Sequence, residues 1–472
     1  MKEYDIAIVG GGPSGLFAAH ELVERFGKTK SIVLFDKGDQ IDDRTCLSNS
    51  NSGSSCGNCD PCGITNGIMG AGLKSDGKLH FHKEVMETHR QGMISAEETD
   101  NLLTHIEGLF ERWGLQGPVY PIHSDTVAQM SRDVESLGLG DSFELKVKQR
   151  TRHIGSDRLP FLVSNMIEEI TTKGDVSFQV RSNLVGYDHP DGKSFLTIKR
   201  NGGVETIQAD KVFIGLGRRG SMQVQELIHE FSIPYSYRPV EIGGRIELPS
   251  EIMESVTNEV YNPCFRQKNA SGFATFTFCT NPNGYLTTES LLPNIIGVNG
   301  ESKKNQKSQH TNFAVLTELP IPPGDNPNDT LVHLLKDTFT AKVPLVQTTA
   351  DFVDGVVRDE KIRPQSTLRN LEYANIAGIF PETVTTEIRN FLCRLNEIYP
   401  GVVSHKTLFI APEAKIRGMR VTPRNESLET NIDGLYLIGD SSGLSANIVA
   451  AALTGVLAAK TVYTPTPVFD LP

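Results

Sequence analysis

Gly10-Gly11-Gly12-Pro13-Ser14-Gly15 fits the pattern G-x-G-x-x-G between an apolar run and a helical pattern, with Asp36 closing the next apolar run. That arrangement suits a dinucleotide. The first glycine allows a tight turn, the second admits a pyrophosphate to the backbone, the third lets helix pack on strand, and the helix dipole favours phosphate while Asp36 takes ribose hydroxyls. A second pair of acid and glycine, Gly439-Asp440, closes the late apolar run Leu435 to Ile438 and precedes a small-residue helix beginning at Asn447 and Ile448. A late Gly-Asp suited to a ribityl chain, followed by a helix N-terminus aimed at a ring that gains negative charge, points to FAD rather than NAD. Cys46, Cys56, Cys59 and Cys62 form a third constellation, C-x9-C-x2-C-x2-C. Such spacing suits an iron-sulfur cluster or zinc, a redox disulfide, or plain structural thiols. His80 and His82 flank Phe81, so a strand would turn both to one face as candidate proton donors.

The elements that must position these groups are an α/β set. Ile6 to Val9, Ser31 to Phe35, Lys211 to Ile214 and Leu435 to Ile438 are compact apolar runs suited to strands buried on both faces. Ser95 and Glu98 make a capping box ahead of Leu102, Leu103, Ile106, Leu109, Phe110 and Trp113, which predicts an amphipathic helix ending at Gly114. Leu159 to Ile170 reads as a further helix and Val176 to Val180 as a strand. Gly215-Leu-Gly-Arg-Arg-Gly220 repeats the glycine spacing, but no acid-terminated strand follows, so it reads as a return to the first sheet with Gly217 and Arg218 near the cofactor. From about 232 to 403 the pattern turns β-rich, with strands expected in Val240 to Leu248 and Gly272 to Cys279. The expected fold is a discontinuous Rossmann-like FAD-binding α/β domain over 1–90, 150–231 and 404–472. A helical insertion is expected at 91–149 and an inserted β-rich (α+β) substrate domain at 232–403.

Taken together, GGGPSGLFAA (10–19), GAGLKSDGKLHF (70–81), HIGSDRL (153–159), GRRGS (217–221), FTFCTNPNGYL (276–286), GVNGES (297–302), TNFAVL (311–316) and GLYLIGDSSGLSANIVAAALTG (434–455) resemble the FAD-dependent dehydrogenase and oxidoreductase family, relatives of geranylgeranyl-reductase-like and glutathione-reductase-like flavoproteins. The resemblance covers most of the chain. It implies FAD contacts at Gly10, Gly12, Gly15, Asp36, Gly439 and Asp440, with Val185 lining the adenine and Pro13, Ser14, Lys37, Gly217, Arg218, Asn447 and Ile448 on the cofactor side. Asn447 departs from the family's usual glycine. The resemblance also lays residues 70–78 beside the flavin ring, making Ser75, Asp76 and Lys78 candidates to polarise flavin or substrate oxygens, and turns Cys279 toward the flavin as an acid. Glu413, Lys415, Arg417 and Arg420 fall in its flavin-proximal stretch.

Composition bounds the remaining choices. The chain has 472 residues, 38% hydrophobic and 22% charged, with formal net charge −11. A field of that sign repels nucleic acid and anionic membranes. The N-terminus lacks the basic region and apolar core of a secretory signal, and the longest apolar stretch, Ile448 to Ala459, is short of the roughly 20 residues that span a bilayer. A cytoplasmic FAD-dependent oxidoreductase is expected, moving hydride at flavin N5 to or from a small organic substrate, with NAD(P)H or an electron-donor protein as reductant. A flavin monooxygenase and a flavin-bearing thiol redox sensor are the alternatives.

Overall fold

Ile6 to Val9 are buried on both faces because alternate residues serve two different cores. Ile6 and Ile8 pack with Leu16, Phe17 and Leu22, whereas Ala7 and Val9 pack with Val224 and Ile228. The computed structural model describes residues 1–46, 59–137, 142–269, 272–356, 365–417 and 419–463.

The first sheet has strand order Asp175–Gln179, Ser31–Phe35, Lys2–Val9, Gly203–Ile214, Ser194–Arg200 and Ser182–Asp188, with Leu435–Leu437 also pairing Gly203–Ile214. Strand Lys2–Val9 runs parallel to both neighbours, Ile6 opposite Ile32 and Lys211, and Leu435–Leu437 is parallel to the far half of Gly203–Ile214. The near half of that long strand instead forms an antiparallel meander with Ser194–Arg200. Helices Pro13–Phe26, Ala96–Arg112, Leu159–Lys173 and Ile448–Lys460 contribute to one core on this sheet. The capping box is present, with Ser95 Oγ accepting from the Glu98 amide at 3.1 Å.

The second large sheet has order Glu372–Tyr373, Leu345–Thr348, Leu408–Lys415, Glu241–Pro249, His310–Glu318, Ala274–Asn281, Cys264–Lys268 and Phe143–Lys146. Its core lies under helices Pro327–Thr338 and Glu382–Ile398. Two boundaries differ from those read off the sequence. Strand Leu408–Lys415 is hydrogen-bonded on both sides inside the second sheet, so the chain returns to the first sheet after 415 rather than at 404. Phe143–Lys146, expected within a helical insertion, pairs with Cys264–Lys268 and extends the second sheet by an edge strand. Pairing between segments so far apart leaves no local pattern. A three-stranded sheet of Lys78–His80, Thr151–His153 and Val119–Tyr120 lies between the two units. No helix among the described residues is long and apolar enough to cross a membrane.

Candidate dinucleotide and substrate site

The N-terminal glycine turn is built by three different steric demands. Gly10 has φ +108°, and a Cβ there would lie 2.1 Å from the Gly215 carbonyl oxygen. At Gly15 a Cβ would lie 2.0 Å from the Gly10 carbonyl oxygen, where the first helix presses on the first strand. Gly12, by contrast, has nothing within 4 Å of its Cβ position. Gly12 is also the N-cap of helix Pro13–Phe26, and no side chain caps that end. First-turn amides without an intrahelical partner, beside an open backbone, are the arrangement a diphosphate needs, so the residues fit FAD at this end. Pro13 at the first helical position fixes φ where no donor is lost.

Asp36 does more than the sequence suggests. Its Oδ2 accepts from the Gly11 amide at 2.7 Å, and its Oδ1 accepts from the Gly38 and Gly67 amides at 2.8 and 2.9 Å. Burial pushes its carboxyl up from the ordinary value in spite of these donors. The carboxylate thus holds the glycine turn and the following loop together, leaving about one of its roughly four acceptor sites for a ribose hydroxyl. Lys37 pairs with Asp60 at 2.5 Å. Val185 lies on the edge strand Ser182–Asp188 beside a bulge, and its side chain is 47% exposed.

Arg44, which the sequence reading passed over, is buried and donates to the carbonyls of Gly63, Ile64 and Ile68 at 3.2, 2.7 and 2.7 Å. Burial pushes its guanidinium down to about 10. It fastens the stretch directly after Cys62; Cys62 itself is buried, while Cys46 is half-buried and Cys59 exposed. Cys56 lies outside the described residues.

The C-terminal half of the site is locked onto the first helix. Gly439 has φ +69°, and a Cβ there would lie 2.5 Å from Ser14 Oγ. Asp440 accepts from Arg218 Nε at 3.2 Å and from the Ser445 hydroxyl, so the loops after two neighbouring parallel strands are tied together. Gly217, with φ +65°, opens this second loop and has nothing within 4 Å of its Cβ position. Asn447 Oδ1 accepts from the Ala450 amide at 2.8 Å. The departure from glycine therefore serves as an N-cap of helix Ile448–Lys460. The short 3-10 helix Gly70–Lys74 wedges between the two helix starts, where a Cβ on Gly72 would be 3.3 Å from Ile448 and 3.4 Å from Pro13.

Immediately after that wedge come the polar candidates. Ser75 Oγ donates to the Gly72 carbonyl at 2.7 Å and closes the turn. Asp76 meets Lys78 Nζ at 2.8 Å, and Lys78, 3% exposed, also donates to the Thr280 carbonyl of the second sheet at 2.6 Å. Burial alone would raise the Asp76 carboxyl, but the Lys78 ammonium beside it and its hydrogen bonds hold it well below the usual carboxylate range. His80 is fully engaged. Its Nε2 lies 3.2 Å from Asn262 Nδ2, which can only donate, and its Nδ1 lies 2.9 Å from Thr151 Oγ1, whose own proton goes to the Lys148 carbonyl. That bonding assigns a neutral ring protonated at Nδ1, and burial, then Lys148 and Lys78, keep it well below its ordinary value. A ring so held is a bracket between units rather than a proton donor.

Cys279 sits next to Thr280 in a bulged stretch of its strand with φ +49°. Burial, then the Asp76 carboxylate, pushes its thiol up. Behind it Arg245, 0% exposed, makes a bidentate pair with Glu413 at 2.8 and 3.0 Å and donates to Asn312 Oδ1 at 2.9 Å, while Lys415 reaches Glu413 at 2.8 Å. Arg417, expected in the same stretch, is paired bidentately with Glu241, and Arg420 reaches Glu87 at 2.6 Å. Arg245 has one sequence signal: a charged residue inside the otherwise uncharged stretch Ile242 to Ile246.

The family described as FAD-dependent protein, C-terminal domain-like matches residues 239–416, and an NAD(P)-binding Rossmann-like domain matches residues 8–41. No curated protein matches the sequence. Among solved structures, glycine oxidase from Geobacillus kaustophilus is similar at 14% identity and TM-score 0.40, covering 99% of this chain and 97% of its own. L-proline dehydrogenase from P. horikoshii is similar at 10% identity and TM-score 0.43, with 98% and 93% covered. A geranylgeranyl bacteriochlorophyll reductase-like protein from Thermoplasma acidophilum is similar at 14% identity and TM-score 0.37, with 98% and 78% covered.

Proposed function

The chain belongs to the FAD-dependent oxidoreductase family, and from that premise we propose that it transfers hydride to or from a small organic substrate where the first sheet meets the second. FAD when bound supplies the capacity to accept or give hydride at its N5. The chain supplies the rest. The open backbone at Gly12 and the first-turn amides of the N-terminal helix receive the diphosphate, Asp36 the ribose, and Asp440, oriented by Arg218 and Ser445, the ribityl chain. The N-terminus of helix Ile448–Lys460 offers partial positive charge to the ring.

The observation that carries this reading is the buried Asp76–Lys78 pair, which ties the wedge after Gly72 to Thr280, the neighbour of Cys279. A polar patch shielded from water is where fixed charges act most strongly on a reacting carbonyl or alcohol. Asp76 is ionised and holds the Lys78 ammonium in place, His80 has both nitrogens engaged, and Ser75 is spent on the turn. Cys279, kept protonated by its surroundings, holds the proton that hydride transfer to an unsaturated substrate requires at Sγ. Cys46, Cys56, Cys59 and Cys62 are the candidate centre for electron delivery, and Arg44 fastens Gly63 and Ile64 directly after Cys62.

The test is an absorption spectrum of the anaerobically purified protein before and after dithionite, with flavin and iron quantified on the same sample. Stoichiometric flavin is expected. Iron equal to a cluster directs the search for a reductant to an electron-donor protein, and flavin without iron directs it to NAD(P)H. A protein that takes up no flavin when offered FAD overturns the reading.

A further inference from the structure

On the far side of the first helix from the glycine turn, His20 is 1% exposed, yet neither ring nitrogen has a hydrogen bond. Both nitrogens point at carboxylates. Nδ1 lies 3.5 Å from Glu21, and Nε2 lies 3.6 Å from Glu24 and 3.6 Å from Glu169 of helix Leu159–Lys173. A buried imidazolium would donate to such neighbours at about 2.7–3.2 Å. The observed gaps are too long for hydrogen bonds. They suit an intervening ion: ligand bonds of about 2.0–2.2 Å in a tetrahedral shell place neighbouring donor atoms about 3.3–3.6 Å apart. The His20, Glu24 and Glu169 donor atoms all lie within 4.8 Å of one another, and they are the only such group among the described residues.

We propose that His20, Glu24 and Glu169 bind a divalent first-row transition-metal ion that clamps the first helix to helix Leu159–Lys173. His20 and Glu24 are one helical turn apart on one face, so a single backbone presents two ligands and the facing helix the third. One imidazole with two carboxylates is a nitrogen and oxygen donor set suited to Mn²⁺, Fe²⁺ or Zn²⁺. Trp113 braces the ligands from outside: its Nε1 donates to Glu169 Oε2 at 2.5 Å and its ring meets His20 edge-on, while Arg112 meets Glu169 Oε1, the oxygen that faces His20, at 2.9 Å. His105 holds Glu21 at 2.7 Å and so steers that carboxylate away from the ion. Lys173 places its ammonium on Glu24 and, at 2.7 Å, on Glu169, where the ion would sit. Its side chain is 42% exposed, so it can swing out, and the ammonium is a competitor for the same carboxylates.

Titrating the metal-stripped, flavin-loaded full chain with Mn²⁺ and counting free ion by electron paramagnetic resonance tests this. Mn²⁺ is chosen because oxygen and nitrogen ligands suit it and the thiolates near Cys62 do not. One ion per chain is expected, with E24Q and E169Q each weakening binding at least about tenfold. K173M removes the competitor and is expected to tighten binding, a gain that loss of packing does not produce and that stands even where E169Q fails to fold. Wild-type protein that takes up neither Mn²⁺ nor Zn²⁺ at this stoichiometry, binding unchanged in E24Q and E169Q, or K173M binding no better than wild type overturns the proposal.

Discussion

Gly12 and Gly15 have opposite surroundings, and the same methyl group tests two different roles. Gly12 has φ −74° and open space at its Cβ position, so G12A leaves the fold intact and places a methyl where the diphosphate would lie. Flavin affinity is expected to fall about tenfold or more, read by fluorescence on adding FAD to apoprotein, with an unchanged urea midpoint. G15A drives a Cβ to 2.0 Å from a backbone oxygen and is expected to lower the urea midpoint itself, by about 1–3 kcal/mol of overpacking. Cys279 belongs to the same scale. If its thiol is the proton donor, C279A slows substrate-dependent flavin turnover by about a hundredfold with flavin content unchanged, the low end of what general acids contribute. An equal rate in C279A assigns the proton to another group. The thiol's upward displacement also predicts a rate that stays level through neutral pH and falls only above the ordinary cysteine range.

Four helices and five strands of the first sheet and its core are legible from short stretches, because their determinants are local: an apolar run, a capping box, a glycine turn. The second sheet is less so. Its strand His310–Glu318 buries Thr311, Asn312 and Thr317, and polar residues turned inward cancel the alternation that marks a half-buried strand. Their reason is non-local, since Asn281 and Arg245 of the neighbouring strands both donate to Asn312. His80 misleads for the same cause: His80 and His82 share a face in the sequence pattern, but Thr151 and Asn262, far along the chain, fix what His80 does. Arg245, Glu413 and Lys415 make the sheet face a buried ionic triad. E413Q strands a guanidinium and an ammonium without their shared carboxylate, and about 3–5 kcal/mol of stability is expected to go. Replacing the triad with R245M/E413M/K415M is expected to cost less than E413Q alone, as read from urea midpoints. A larger loss in the triple variant shows that Asn312 and Asn299, to both of which Arg245 donates, depend on the charges as well.

Polar stitches join the two units, among them Lys78 to Thr280, His80 to Asn262, Arg219 to Ser290 at 2.6 Å, and Asp157 to the Lys304 and Asn305 amides at 2.6 and 3.0 Å. Between them lies His153, buried and stacked on Tyr261 with ring centroids 4.3 Å apart. Burial, then the neighbouring Lys307 and Lys78, pushes its imidazole down to about 3. The unfolded chain binds that proton near pH 6.5, so below this value the unfolded state takes up a proton that the folded state refuses, and stability falls steadily until about pH 3. His80 adds a loss of the same sign. His105, raised chiefly by its hydrogen bond to Glu21, works the other way and gains stability as pH falls through its folded value. H153F keeps the stacking and removes the titration. Between pH 7.5 and 5.0 the wild type is expected to lose about 2 kcal/mol more than H153F, because the unfolded chain takes up its proton only from about pH 6.5 downward. Urea midpoints of both proteins at the two pH values measure the difference. Parallel losses show that His153 gains its proton without unfolding, and then the seam between the two units, rather than the whole fold, is what opens in acid.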